Sequence, residues 1–258
     1  MKRFSKISIL LICNGLFFLS SLCSVHVFAM SNSDQSIIFH RKATNANLVW
    51  QLGAFYSTQG QQKHINIQDL VGDDFTVTKS HDRNVLIGFG YYINGINNPN
   101  YKLLYGLNAF YLPKSLVKGY VIQESNFANL KYQYSISHLP VYIAGKTIFN
   151  TNIENAKIVV DLGVGLNLLQ INEFEEMSND NNITLPDNAF SGKNRLTYSA
   201  TAGIAWRINQ AFNNIDMDIG YRFFYLGRGD LQKENSQFLN SLSTGNIYAH
   251  ALVLTLYT

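Results

Sequence analysis

The chain has 258 residues, with 20 Lys and Arg against 17 Asp and Glu, and only 14% of its side chains are charged. Its two cysteines, Cys13 and Cys23, fall in the first 29 residues, so the remainder can build neither a disulfide framework nor a thiolate metal site. Tyr (15) and Phe (17) are abundant and Pro (4) is scarce. No stretch after residue 29 approaches the roughly 18 consecutive apolar residues of a spanning helix.

Lys2, Arg3 and Lys6 precede an apolar run over residues 7–22, and Val27-Phe28-Ala29 puts small residues where a signal peptidase reads them. Residues 1–29 are therefore expected to be a cleaved export signal. They carry those three cations and no acid, so the mature charge becomes 17 against 17. A neutral mature chain gives no basis for nucleic-acid binding. Residues 30–46 are expected to be a periplasmic segment, and residues 47–258 to form one domain.

Period-2 alternation marks eight strands near 47–58, 83–94, 101–112, 129–146, 156–171, 196–208, 215–226 and 247–257. The connections alternate in length. Residues 95–100, the few around 150–152, and 209–214 are short turns. Residues 59–82, 113–128, 172–195 and 227–246 are long. Short periplasmic turns and long external loops are the pattern of an outer-membrane barrel, and a soluble sandwich has no reason to follow it. The predicted fold is all-β: an eight-stranded antiparallel up-and-down transmembrane barrel.

Each strand has one large apolar face and one small or charged face. The second sets Val85, Ile87, Phe89 and Tyr91 against Asn84, Gly88, Gly90 and Asn94. The seventh sets Met217, Ile219, Tyr221, Phe223 and Tyr225 against Asp216, Asp218, Gly220 and Arg222. A barrel that is apolar outside and polar inside requires this division. The inward charges Lys102, Lys131, Lys157, Asp161, Arg207, Asp216, Asp218 and Arg222 are expected to pair as an interior ion network, because an unpaired buried charge is costly. The turn at 209–214 brings Arg207 roughly opposite Asp216. Trp50, Tyr91, Tyr101, Tyr111, Trp206, Tyr225 and Tyr248 lie near strand ends, where an aromatic girdle meets the headgroup layer. Pro140, which cannot donate to a ladder, predicts a bulge in the fourth strand.

Gly88-Phe89-Gly90-Tyr91, Leu139-Pro140-Val141, Leu162-Gly163-Val164-Gly165, Gly220-Tyr221-Arg222-Phe223 and the alternating segment 252–257 resemble the OmpA-type family of small outer-membrane barrels. That family includes the OmpX-like and opacity-type adhesin proteins. The resemblance implies insertion by the barrel-assembly machinery, a lipid and lipopolysaccharide environment in a Gram-negative outer membrane, and a terminal aromatic that the machinery reads. Here the end is Leu256-Tyr257-Thr258, and Tyr257 is the candidate substitute.

No catalytic constellation is expected. Asp216 and Asp218 form a carboxylate pair, but at the predicted periplasmic end with Arg207 beside them. His138 and His250 are not followed two residues later by the Ser that a lipid A deacylase barrel would need. His64 and His81 share the first long loop without a ligand-like cluster, so neither a metal nor a cofactor is predicted. Function is expected on the external loops, which are acidic and rich in Asn, as surface interaction or adhesion with a host or surface ligand. Arg228-Gly229-Asp230 in the fourth long loop is the one candidate recognition tripeptide. The alternatives are a low-conductance channel and, less favoured, a lipid-modifying enzyme.

Overall fold

The computed structural model describes residues 46–151, 153, 156–212 and 215–258. The expected signal (1–29) and nearly all of the periplasmic segment (30–46) lie outside the described residues. In chain order the strands are β1 (Ala46–Thr58), β2 (Lys63–Ile65), β3 (Asp73–Phe75), β4 (His81–Asn97), β5 (Tyr101–Gln123), β6 (Phe127–Asn150), β7 (Ala156–Ser178), β8 (Phe190–Ser191), β9 (Asn194–Phe212), β10 (Ile215–Asp230), β11 (Gln232–Lys233) and β12 (Ser243–Tyr257). Eight of them close an antiparallel ring, β1-β4-β5-β6-β7-β9-β10-β12 and back to β1. The closing seam runs from Val49 paired with Tyr257 to Thr58 paired with Tyr248. Each connection is up-and-down, as predicted.

The outward faces carry an apolar belt. Ile143 is 72% exposed and Val164 67%, with Leu52, Val85, Ile87, Leu107, Leu162, Ile204 and Leu252 also outward. Only hydrocarbon makes such exposure favourable. Trp50, Tyr91, Tyr111, Trp206 and Tyr248 are exposed among them, and Tyr101 and Tyr225 are half-buried.

Two strands, β5 and β7, run well past their predicted ends on the long-loop side. Residues 113–128 are not a loop: β5 and β6 continue as a paired ribbon, with Val117 opposite Tyr134 and Val121 opposite Leu130, joined by a tight turn at 124–126. β7 extends to Ser178, with Gln133 opposite Glu175. Above the membrane the outer face meets water, so Lys118 and Lys131 belong outside while Val117, Tyr132 and Tyr134 pack inside. Polarity there no longer marks the inner face, which is why the alternation looked lost.

The bulge expected at Pro140 is elsewhere. Pro140 is inward and opposite Asn167, with no register shift. The shifts along β6 fall between Leu112 and Ser115, around Pro113, between Val121 and Gln123 beside the turn, and between Gln133 and Ser135, where β7 carries the extra residue. Glu173 in that bulge has φ 57°. Its carboxylate meets Lys114 of β5 and accepts from Ser135 at 3.2 Å.

Candidate functional site: the barrel interior and its cap

The interior has two zones. In the membrane-level half toward the short turns, inward parity brings together buried charges from four strands and a tyrosine from a fifth. Arg207 of β9 faces Asp218 of β10 with two parallel bonds, Nε–Oδ1 at 2.6 Å and Nη2–Oδ2 at 3.0 Å. Arg222, two pleat repeats further along β10, grips Asp161 of β7 through a second bidentate pair, at 2.8 and 2.9 Å. Lys146 of β6 lies 3.5 Å from Asp218 and donates to the Tyr257 hydroxyl at 2.7 Å. Tyr257 in turn donates to Asp218 Oδ2 at 2.5 Å. The Arg207 guanidinium lies 4.0 Å from the centroid of the Tyr257 ring, and that of Arg222 lies 5.0 Å from that of Phe110. Charge-assisted forks backed by aromatic faces are the geometry in which buried ions are tolerated. Gln51 donates to Asn108 at 2.6 Å, and Asn108 to the Tyr92 hydroxyl at 3.1 Å, extending the network across β1, β4 and β5.

Space around these groups is scarce. The cavity beside Lys146, Asp161, Asp218 and Arg222 measures about 10 Å³, close to the size of a single water site. Gly203 gives Asp161 its room, since a Cβ there would stand 2.8 Å from Oδ2.

The predicted network residues divide as follows. Asp161, Arg207, Asp218 and Arg222 are buried and mutually paired. Asp216 is 4.0 Å from Arg207 at the margin, so the nearer partner is Asp218 rather than the residue predicted. Lys102 and Lys157 are half-buried, and Lys102 stands in the field of Arg207, Lys157 and Asp216. Lys131 is a correction: it points out of the barrel in the part of β6 that stands in water. Sequence reading missed Lys146 and Tyr257. The even-numbered parity of Tyr142, Ala144, Lys146 and Ile148 would have placed the lysine inside. Tyr257 is likewise inward, 7% exposed, so it is part of the ion network rather than a lipid-facing terminal aromatic.

The other zone is not polar, which corrects the expectation of a polar interior throughout. From Phe110, Tyr142 and Phe224 upward the lumen is an aromatic and aliphatic core including Tyr132, Tyr134, Ile136, Leu169 and Ile171. Phe110 meets Phe224 edge-on at 5.0 Å. His138 lies among them, 2% exposed, its Nδ1 3.0 Å from the Asn167 amide. The loop strands close the top: β3 adds Phe75, β8 Phe190, and the segment after β11 adds Phe238 and Leu242. β8 pairs with β11, and Ile67 bridges to Phe238. Beyond the membrane a barrel is built like a water-soluble domain, apolar inside and polar outside.

The candidate tripeptide is not displayed on a loop. β10 runs through Asp230, which pairs with Ser243. Gly229 is buried, its N–H donating to Thr244 at 2.9 Å and its carbonyl accepting from Ser243 and Thr244. Arg228 donates to Ser243 at 2.9 Å. The strand ladder reaches further than the sequence alternation suggested because Gly227, at φ 85°, absorbs a bulge and lets pairing resume.

No family model matches the chain, and no curated protein matches it by sequence. Solved structures do. OprG from Pseudomonas aeruginosa, an outer membrane protein, is 12% identical over 83% of this chain and 97% of its own, with a TM-score of 0.43. This chain is a small β-barrel of the outer-membrane kind. AlkL, an outer membrane protein solved in lipid bilayers, is 12% identical over 90% of this chain and 97% of its own, TM-score 0.41. OmpT, an outer membrane protease from Escherichia coli, is 9% identical over 82% and 94%, TM-score 0.41. At these identities and TM-scores none of them assigns this chain a role.

Proposed function

We propose that this barrel is a closed, non-enzymatic scaffold of a Gram-negative outer membrane, supporting envelope integrity and presenting its extracellular cap for surface interaction or adhesion. One observation carries the reading: both zones of the lumen are filled, the lower by bidentate ion pairs and the upper by an aromatic core continuous with the loops. A rigid frame with its variable surface on one rim is the arrangement in which loops bind. The partners that fit are the lipid and lipopolysaccharide around the belt, the insertion machinery, and a surface ligand at the cap. Supporting the last, Leu70, Val71, Ile183, Leu185 and Leu239 are exposed on the cap segments, where water offers them nothing.

The test replaces residues 179–189 with a short Gly-Ser turn and compares adhesion of cells displaying each form. A heat-dependent gel-mobility shift reports that both barrels are folded. Loss of adhesion in the folded variant supports the reading, and equal adhesion of both forms to every surface and of cells lacking the chain removes the adhesive role.

A further inference from the structure

At the top of the barrel, beyond the membrane belt, two buried carboxylates, Asp73 and Glu176, lie in the field of a third, Asp187, which is exposed. Asp73 of β3 is 5% exposed and accepts the backbone N–H of Glu124, at the β5–β6 turn, at 3.2 Å. Glu176 of β7 is 7% exposed, and one oxygen accepts the N–H of Ala189 at 3.4 Å. Its other oxygen, Oε2, is buried without a hydrogen-bond partner among the described residues. Asp187, on the segment between β7 and β8, accepts from Gln123 at 3.4 Å.

The charges acting on this group share one sign. Glu176 feels Asp187 and Asp73; Asp73 feels Asp187, Glu124 and Asp74. Asp74 itself is turned to His64, at 2.7 Å, and to Ser125, at 3.3 Å. An ionised carboxylate with a dry, unpartnered oxygen in the field of two others costs more than a carboxylic acid there.

We propose that Glu176, Asp73 and Asp187 form a proton-held latch that seats β3 and the β7–β8 segment on the barrel and releases them when Glu176 ionises. The hydrogen bonds at stake join loops to frame: Glu176 to the amide of Ala189, and Asp73 to the β5–β6 turn. Release uncovers the aromatic zone beneath, where Phe75 of the cap packs on Tyr132 at 5.3 Å and Phe190 on Phe174 at 5.7 Å. This goes beyond the scaffold reading, since the ion-paired lower zone stays filled whether the cap is seated or not.

Burial, then repulsion from Asp187 and Asp73, pushes the Glu176 carboxyl up to about 7 in the seated cap, against an ordinary value of 4.5 once released. A raised acid of this kind favours the seated state fully below the ordinary value. That preference is lost as pH rises toward the seated-state value, and it levels off above it. The opening constant should therefore rise on the order of a hundredfold between pH 4.5 and pH 8.

The experiment follows amide hydrogen exchange of Ala189 in the full chain folded in bilayers, corrected for the intrinsic pH dependence of exchange. Wild type should lose about a hundredfold of protection across that range. Glu176→Gln, which carries no titrating proton, should stay protected throughout. His64 provides the competing explanation, because its ring also holds Asp74 of β3, at 2.7 Å. Loss of the pH dependence in His64→Gln but not in Glu176→Gln would overturn the latch, as would a flat wild-type profile. Should Glu176→Gln fail to fold, Asp187→Asn serves: it removes one repulsive charge and must shrink the drop. Channel openings in a bilayer would contradict the closed scaffold and leave this latch untouched; a flat exchange profile would do the reverse.

Discussion

Tyr257, on the last strand, reaches into the lumen and donates to Asp218 of β10 while accepting from Lys146 of β6. That one hydroxyl joins the closing seam of the ring to the far wall. Asp218 therefore serves three partners, Arg207, Lys146 and Tyr257, and its removal leaves two buried cations facing each other.

Asp218→Ala is accordingly expected to destabilise the barrel by about 3–5 kcal/mol, the range for stripping one member from a buried ion pair. Urea unfolding in bilayers, followed by the fluorescence of Trp50 and Trp206, measures it. Asp216→Ala, whose residue sits at the margin 4.0 Å from Arg207, should cost well under half as much.

Tyr257→Phe keeps the ring under Arg207 and deletes the hydroxyl. The expected cost is about 1–3 kcal/mol, from leaving Lys146 and one oxygen of Asp218 short of a partner. The same urea titration reads it. A loss below about 0.5 kcal/mol would mean that the hydroxyl does not bridge them.

Two lysine changes separate the belt from the extension above it. Ile143→Lys puts a charge on the lipid face and should cost about 2–4 kcal/mol. Lys131→Ala, on the outer face of β6 where it meets water, should stay within about 0.5 kcal/mol. If Lys131→Ala cost as much as Asp218→Ala, its assignment to the outside would be wrong.

Asp230→Ala should leave adhesion to integrin-bearing cells unchanged, because Gly229 is buried in the β10 ladder and the tripeptide cannot protrude. Reduced adhesion with an intact barrel would require this stretch to leave the sheet.

The ring of eight strands and their order were legible because lipid enforces a strict rule: Val160, Leu162, Val164 and Leu166 must alternate with Asp161, Gly163, Gly165 and Asn167. The rule lapses above the membrane. There Lys118 and Lys131 face water as on any soluble sheet, so the continuation of β5 read as a loop and Lys131 of β6 as an inward charge. The ion network was partly legible for the same reason. Charged residues in a belt segment have to point inward, which located Asp161, Arg207, Asp218 and Arg222. Which acid meets which base was not, because Asp216 and Asp218 share a face and a shift of one residue pair in the β9–β10 register decides between them. The cap was out of reach: Phe75, Phe190 and Phe238 are brought together from three separate loops with no shared periodicity.

The central claim is that the lumen is closed. Single-channel recording of the refolded chain in a planar bilayer tests it most directly, once a heat-dependent mobility shift shows that the barrel has formed. The protein should be folded and electrically silent at both pH 5 and pH 8, with the Arg207–Asp218 and Arg222–Asp161 pairs holding the lower zone shut. Discrete, reproducible openings of the wild-type barrel would contradict that account and make it a channel.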